Sequence, residues 1–330
     1  MNHYMVIFDD DKKYAEKLAS YLNMEADFSF IVGVCTKKEE LIDFCAENMP
    51  QVALISEKYY EGLKTKIDCE TMVLSATKSG FYDNVMNIYK YQCAEKIVRD
   101  ILKGLAVTGN VNYITGRATD LKIIAFYTPV KRSFSTSMCL AMGQFLGKGH
   151  RTIYLNFEAF SGFKGLFEND FENNLADLIY FLESGKSGFG LALAGMVEKI
   201  DHLDIMAPFE NPTDLISVQA ARWKKLLEII EKDTDYEYLL LDLSESVQGL
   251  FDILKMADIV ITPIGNGEIE ISKVVQYEEC LKMSGYEEVI GKTKKCNVGN
   301  LRHNGNWHNL CKGDFGEYVK GVLTEVIISE

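Results

Sequence analysis

Residues 122–163 read KIIAFYTPVKRSFSTSMCLAMGQFLGKGHRTIYLNFEAFSGF, and this stretch decides the fold of the second half of the chain. Residues 122–127 are a short apolar run, which predicts a buried parallel strand. Residues 138–146 are rich in Ala, Met, Leu and Gln and predict a helix, ended by two glycines. Residues 153–155 predict the next strand. In phosphate-binding α/β proteins, the turn between such a strand and such a helix is a glycine loop that holds phosphate on its backbone N–H groups.

The turn in this chain lacks most of those glycines. Residues 129–137 (PVKRSFSTS) resemble the deviant Walker A loop, GKGGxGKT, of the MinD/ParA family of P-loop ATPases. In the alignment on that motif, Pro129 replaces the first glycine and Val130 replaces the signature lysine. Lys131 and Arg132 replace the glycine pair, Phe134 replaces the last glycine, and Ser135 replaces the phosphate-binding lysine. Thr136 keeps the residue type of the Mg²⁺ ligand. We expect the Phe134 ring to fill the space in which backbone would approach phosphate.

Two acidic positions complete the predicted nucleotide site. Residues 236–243 (YEYLLLDL) are an apolar strand leading to Asp242, as in a Walker B strand whose carboxylate orders the water shell of Mg²⁺. A strand-end acid without a metal is the alternative. Asn156 and Glu158 occupy the place of the family's second acidic motif. The resemblance implies a degenerate site for ATP, with Mg²⁺ on Thr136 and Asp242 if it binds, formed by Lys131, Arg132, Ser133, Ser135, Thr136, Ser137, Glu158 and Asp242.

In the first 105 residues, predicted strands alternate with predicted helices. Apolar runs predict strands at residues 4–8, 28–34, 52–55, 71–75 and 87–89, and helices at 14–22, 38–47 and 94–105. This pattern resembles the receiver domain of two-component systems, which has a flavodoxin-like (βα)₅ fold. The resemblance implies a pocket formed by Asp9, Asp10, Ser56, Ser75 and Lys90.

Ser56 stands in this pocket where a receiver has the aspartate that accepts phosphate. Serine cannot form an acyl phosphate, so we expect no phosphotransfer from a histidine kinase. Asp9 and Asp10 could form a residual cation site, or they could balance the charge of Lys90. The second alternative is favoured because the third carboxylate of such a site is missing.

Length and charge limit the remaining possibilities. The chain has 330 residues, which is enough for two domains. We predict a pseudo-receiver domain at 1–107, a linker at 108–120 and a MinD/ParA-like atypical ATPase domain, with a parallel α/β sheet, at 121–330. The net charge of −13 argues against a nucleic-acid partner, because phosphate backbones require clusters of Lys and Arg. We expect no direct membrane insertion, since no apolar run reaches the about 18 residues of a membrane span.

A degenerate receiver followed by a degenerate MinD/ParA-type ATPase resembles the TadZ/CpaE family over nearly the whole chain. The most specific segments are residues 88–98 (IYKYQCAEKIV) and the strand–turn–helix–strand unit. The resemblance implies a non-catalytic cytoplasmic scaffold for a Tad (Flp) pilus or related secretion system. Such a protein forms a homodimer and is recruited by assembly proteins to the cell pole or to the inner face of the membrane. The alternative is a slow ATP-dependent switch, in which Thr136, Asp242 and Glu158 contact Mg²⁺.

Overall fold

The computed structural model describes residues 3–24, 30–78, 82, 84–108, 120–131, 134–167, 171–299, 301 and 307–328. The chain divides into two compact units. Unit 1 contains Met1–Tyr113 and Lys186–Gly195, and unit 2 contains Ile114–Gly185 and Met196–Glu330. Most of the predicted linker lies outside the described residues, so the predicted domain boundaries stay a prediction.

Unit 1 is built on a five-stranded parallel sheet. Its strands are β1 (His3–Phe8), β2 (Phe30–Cys35), β3 (Val52–Ser56), β4 (Glu70–Ser75) and β5 (Asn87–Tyr89). Its first four helices are α1 (Lys12–Met24), α2 (Lys38–Asn48), α3 (Glu57–Leu63) and α4 (Ala94–Thr108). The strand order is β2-β1-β3-β4-β5, which occurs in flavodoxin-like doubly wound sheets. The described residues between β4 and β5, namely 76–78, 82 and 84–86, form no helix.

Unit 2 is built on a seven-stranded sheet. Its strands are β6 (Lys122–Phe126), β7 (Thr152–Phe157), β8 (Glu198–Ile200), β9 (Leu203–Met206), β10 (Tyr238–Leu243), β11 (Ile259–Ile264) and β12 (Thr293–Asn297). The order is β12-β11-β6-β10-β7-β9-β8, and all neighbours are parallel except β8 and β9. The predicted α/β class with parallel sheets is therefore confirmed.

Helices cover this sheet and bury apolar side chains against it. The helices after α4 are α5 (Phe134–Leu146), α6 (Phe163–Phe167), α7 (Leu175–Glu183), α8 (Phe189–Met196), α9 (Pro212–Ser217), α10 (Ala220–Asp233), α11 (Leu250–Met256), α12 (Glu268–Met283), α13 (Glu287–Gly291) and α14 (Gly313–Ile328). A single core cluster joins α5, β10 and α14 through buried residues such as Met138, Leu240 and Val319. None of the helices in the described part of the chain has the length and apolar content that crossing a bilayer requires.

Residues 186–195 belong to unit 1 although they come from the second half of the sequence. They include most of α8, and Gly195 lies close to α4. A Cβ atom at Gly195 would be 2.8 Å from Lys103 Cγ and 3.1 Å from the Arg99 carbonyl oxygen, so only glycine permits this approach without a shift. The sequence analysis places these residues in the second domain, since a long-range contact of this kind leaves no local pattern.

Candidate functional site

A cavity of about 860 Å³ lies at the carboxyl ends of β6, β7 and β10. Ligands of open parallel α/β sheets bind at this edge. The cavity wall includes five of the eight predicted nucleotide-site residues: Lys131, Ser135, Thr136, Ser137 and Glu158. Asp242 lies behind Ser135, and Arg132 and Ser133 lie outside the described residues. The structure therefore brings together those of the predicted residues that it describes.

Asp242 is fully buried, and neutral donors surround its carboxylate. Ser135 Oγ donates to Oδ1 over 3.2 Å, whereas Tyr154 Oη and Asn156 Nδ2 donate to Oδ2 over 3.0 and 3.2 Å. The Thr136 side chain also hydrogen-bonds the carboxylate. Burial raises the pKa of Asp242 to about 6, although the hydrogen bonds from Thr136, Tyr154 and Ser135 act in the opposite direction. Both carboxylate oxygens are engaged by the protein itself.

The strand register explains why these side chains meet. β10 pairs in parallel with β7 so that Asp242 lies opposite Asn156. Tyr154 is two residues earlier on β7, and side chains at i and i+2 of a strand share a face. Asn156 Nδ2 also donates to Tyr154 Oη over 2.7 Å. The sequence analysis missed Tyr154, because a tyrosine in an apolar strand resembles an ordinary core residue; its spacing from Asn156 was the available signal.

The charged side chains of the cavity wall are mainly acidic among the described residues. Burial, together with the charges of Asp242 and Glu245, raises the pKa of Glu158 to about 7. Lys131 is the one basic residue described on this wall, and it forms an ion pair with Glu245. Burial acts to raise the pKa of Glu245, but the hydrogen bond and charge of Lys131 lower it overall. This lining fits the phosphates of ATP poorly, since like charges repel most where water is scarce.

Two features of the turn before α5 differ from the sequence analysis. The expectation that Phe134 fills the phosphate space is wrong: its ring packs against Phe315 of α14, with ring centroids 5.9 Å apart, and it is not part of the cavity wall. The helix also begins at Phe134 rather than at Met138. Lys131 has a φ of 55°, in the left-handed region that favours glycine, at a position where the aligned motif has glycine. Lys131 thus keeps a glycine-like backbone conformation without being a glycine.

The predicted pocket of unit 1 contains two aspartates with lysine partners. Asp9 is fully buried, and Lys90 Nζ lies 2.8 Å from its Oδ2 atom. Asp10 is more exposed, and its Oδ2 atom accepts from Lys58 Nζ at 2.8 Å and from Tyr59 Oη at 3.2 Å. The hydrogen bond from Lys58 lowers the pKa of Asp10. The Asp9–Lys90 pair agrees with the charge-balance alternative.

Ser56 and Ser75 end the neighbouring strands β3 and β4, and both are buried. Ser75 Oγ donates to Glu57 Oε2 over 2.5 Å. Sequence analysis missed Glu57, which looks like an ordinary acidic residue in the first turn of a helix. No group of three or more Asp, Glu, His or Cys suited to a metal ion occurs among the described residues of either unit.

Comparison with known proteins finds similarity at the level of the fold. No family model matches the sequence, and no curated protein matches it. Similar solved structures include a ParA family ATPase from Chlorobium tepidum TLS, with 13% identity over 63% of this chain and 99% of that chain, at a TM-score of 0.48. A putative plasmid partition protein from Borrelia burgdorferi B31 bound to AMPPNP has 10% identity over 64% of this chain and 99% of that chain, at a TM-score of 0.48. The MinC:MinD cell division protein complex of Aquifex aeolicus has 16% identity over 60% of this chain and 78% of that chain, at a TM-score of 0.41.

Proposed function

We propose that this protein is a non-catalytic scaffold, in which unit 2 is a parallel-sheet domain of the MinD/ParA type that does not hydrolyse ATP at a useful rate. The observation that carries the proposal is the network around Asp242. Ser135, at the position of the phosphate-binding lysine, supplies a neutral hydroxyl that is bonded to this buried carboxylate. By resemblance to TadZ/CpaE proteins, its partners are assembly proteins of a Tad (Flp) pilus or a related secretion system.

The energetic argument concerns the charge that Ser135 does not provide. Phosphoryl transfer depends on positioning and on charges that stabilise the developing negative oxygens. Loss of one charge-assisted contact costs about 1.5–3 kcal/mol, and about 1.4 kcal/mol is one decade in rate. With Ser135 in place of the lysine, we therefore expect the rate of ATP hydrolysis to be lower by about tenfold or more than in a site that has the lysine. Glu158 on the cavity wall adds repulsion toward phosphate when it is ionised, and the charge of Lys131 is already paired with Glu245.

A slow ATP-dependent switch is the second candidate. Two observations favour it: the cavity volume of about 860 Å³ suits a nucleotide-sized ligand, and Thr136 both lines the cavity and hydrogen-bonds Asp242. In that case Thr136 and Asp242 would hold Mg²⁺, which would supply charge stabilisation to the phosphates.

Equilibrium binding of ATP with Mg²⁺ to the full-length chain tests these candidates. We expect weak binding by the wild type and tighter binding by Ser135→Lys, because the substitution restores a lysine at the aligned position of the phosphate-binding lysine, on the cavity wall. Phe134 is left in place, since it packs on Phe315. Ser137→Lys is the matched control, since it adds the same charge to the same wall at a position where the aligned motif has no lysine. Wild-type hydrolysis at the rate of ordinary P-loop ATPases, abolished by Asp242→Ala, would overturn the scaffold proposal in favour of the switch.

We infer a homodimer that does not depend on ATP. In the MinD/ParA family the signature lysine crosses the dimer interface to the nucleotide, and Val130 stands at that position and is buried. Light scattering at tens of micromolar should give a dimer with and without ATP. A monomer, or a dimer formed only with ATP, would contradict the inference.

For unit 1 we propose a pseudo-receiver that is not phosphorylated, because Ser56 ends β3 where the acceptor aspartate belongs. Incubation with acetyl phosphate or beryllofluoride and Mg²⁺ should leave the spectrum of the protein unchanged. A robust Mg²⁺-dependent change would remove this proposal. A cytoplasmic chain brought by its partners to the cell pole or the inner face of the membrane is the localisation that this proposal implies.

A further inference from the structure

The carboxyl edge of the unit 1 sheet contains two neutral donors that converge on one carboxylate oxygen. Ser75 Oγ donates to Glu57 Oε2 over 2.5 Å, and the Ala76 N–H donates to the same oxygen over 3.1 Å. The Thr77 N–H donates to Ser75 Oγ over 3.2 Å, which leaves the hydroxyl proton available for Glu57. A hydroxyl and a backbone N–H aimed at one oxygen are the donors with which proteins hold oxyanions.

The parallel register explains why Glu57 reaches these donors. Ser56, the last residue of β3, lies opposite Leu74 of β4, so Glu57 follows β3 at the level of Ser75, the last residue of β4. Glu57 begins α3 and is half-buried, whereas Ser75 is 1% exposed. The carboxylate therefore closes over a buried hydroxyl from the adjacent strand end.

Two lysines of the same edge pair with aspartates. Lys90 pairs with Asp9 and Lys58 pairs with Asp10, each over 2.8 Å. The hydrogen bonds described above to Glu57 Oε2 come from a hydroxyl and an amide. Both groups would donate equally to another oxyanion of suitable size in place of the carboxylate.

We propose that Glu57 is a built-in ligand of an oxyanion site formed by Ser75 Oγ and the Ala76 N–H. Glu57 keeps the turn at residues 75–77 in its liganded conformation and excludes external oxyanions of the phosphate class. Unit 1 is in this sense permanently liganded, and removal of the Glu57 carboxylate creates a site for free phosphate. The inference does not depend on the proposed function of unit 2.

Titration of the full-length chain with inorganic phosphate tests the proposal. The variants are Glu57→Ala, Glu57→Ala with Ser75→Ala, and Glu61→Ala. Glu61→Ala is the matched control, because it removes the same charge from α3 at an exposed residue whose partner is Lys64. The readouts are calorimetry and the backbone amide resonance of Ala76, which reports on the donor itself.

We expect Glu57→Ala to bind phosphate at least about tenfold more tightly than the wild type, with a shift of the Ala76 resonance, since the competing carboxylate is gone. The wild type and Glu61→Ala should show neither effect, and the added Ser75→Ala change should abolish both. Equal phosphate binding by wild type and Glu57→Ala, or none by either, overturns the proposal.

Two further measurements cover a loss of stability in Glu57→Ala. Phosphate should raise the melting temperature of this variant more than that of Glu61→Ala, and equal responses count against an oxyanion site. Glu57→Gln keeps an oxygen that accepts both bonds, so it should fold and still exclude phosphate. Phosphate binding by Glu57→Gln as tight as by Glu57→Ala would show that charge, rather than occupancy of the donors, governs the site, and the proposal would fail.

Discussion

Each unit holds a fully buried aspartate at the carboxyl edge of its sheet, but the two carboxylates have different partners. Asp9 in unit 1 pairs with the ammonium of Lys90, whose side chain is 11% exposed. Asp242 in unit 2 receives hydroxyl and amide donors, and the described part of the chain gives it no ammonium partner. The same residue type at the same kind of position is thus stabilised by an ion pair in one unit and by neutral hydrogen bonds in the other.

This difference determines what each edge can do. An ion pair between Asp9 and Lys90 fixes two opposite charges in place, and it leaves neither available to an incoming ligand. Neutral donors around Asp242 stabilise its charge less than an ammonium would, so burial raises its pKa to about 6. The edge of unit 1 therefore contains a structural ion pair, whereas the edge of unit 2 contains a carboxylate whose pKa burial raises.

The largest effect is expected on breaking the buried ion pair. Lys90→Met keeps most of the side-chain volume but leaves Asp9 buried without its counter-charge, which should destabilise unit 1 by about 3–5 kcal/mol. Both tryptophans, Trp223 and Trp307, lie in unit 2, so their fluorescence does not report on unit 1. Hydrogen exchange of the β1 and β3 amides in the full-length chain provides the measurement.

The matching control removes both charges together. Asp9→Asn combined with Lys90→Met removes both charges of this pair and should recover much of the stability lost in Lys90→Met. If Lys90→Met alone costs less than about 1 kcal/mol, the pair is not the electrostatic anchor of this edge.

The second prediction concerns the pH dependence of unit 2. The pKa of Asp242 is about 6 in the folded chain, above its ordinary value of 3.8. Stability from this group is therefore present below pH 3.8 and is lost as the pH rises through 6, by about 3 kcal/mol in total. Asp242→Asn should lack this loss. Urea unfolding followed by tryptophan fluorescence from pH 4 to pH 8 measures it.

The measured quantity in that experiment is the difference in the free energy of unfolding between the wild type and Asp242→Asn. Only the way this difference changes with pH tests the prediction. The Asp242→Asn substitution has an unavoidable cost, since an amide replaces one acceptor by a donor, but this cost is the same at every pH. Burial and the charges of Asp242 and Glu245 raise the pKa of Glu158 to about 7. The effects of burial and Glu245 are common to both proteins, whereas the effect of the Asp242 charge on Glu158 is part of the measured difference. A difference that stays flat, or that changes in the opposite direction, would contradict the assignment.

The third prediction removes a single neutral donor. Tyr154→Phe keeps the ring, which stacks on Phe163, and deletes the hydroxyl that donates to Asp242. We expect a loss of about 1–3 kcal/mol at pH 8 and a smaller loss at pH 4, because the bond stabilises the ionised carboxylate. Tyr236→Phe is the control, since its hydroxyl donates over 2.8 Å to the less buried Asp204. Equal losses for Tyr154→Phe at both pH values would show that the hydroxyl does not stabilise the charge.

The strands of unit 1 could be predicted well from the sequence, because buried parallel strands are short apolar runs between turns. The runs at 52–55, 71–75 and 87–89 correspond within a residue to β3, β4 and β5. The start of α5 was predicted four residues late, at Met138 instead of Phe134. Ser135 and Thr136 look like turn residues in the sequence, and only the long-range bonds to Asp242 explain their place in the first turn of the helix.

The motif alignment predicts one nucleotide site from Ser135, Thr136 and Asp242, and that site stays a prediction. Hydrogen bonds join these three side chains, but the alignment could not show what else surrounds them. Tyr154 and Glu57 were missed because their roles depend on strand register. A tyrosine inside an apolar strand and a glutamate at a helix start have no local signal of function. The Phe134 expectation failed for the related reason that its partner, Phe315, lies 181 residues away in the last helix.

The smallest effect is expected at the second ion pair of unit 1, between Lys58 and Asp10. This pair tests whether burial causes the large effect expected for Lys90→Met. The Lys58–Asp10 and Lys90–Asp9 pairs have the same N–O distance of 2.8 Å, but the side chains of Lys58 and Asp10 are 63% and 45% exposed. Lys58→Met should therefore change the stability of unit 1 far less than Lys90→Met, because water already solvates both charges of the Lys58–Asp10 pair. Added salt should remove this small effect, since the Debye length falls to about 3 Å at 1 M, and should leave the cost of Lys90→Met nearly unchanged. Hydrogen exchange of the same amides at low and high salt makes the comparison. Equal costs for the two substitutions would mean that distance, rather than burial, sets the strength of these pairs.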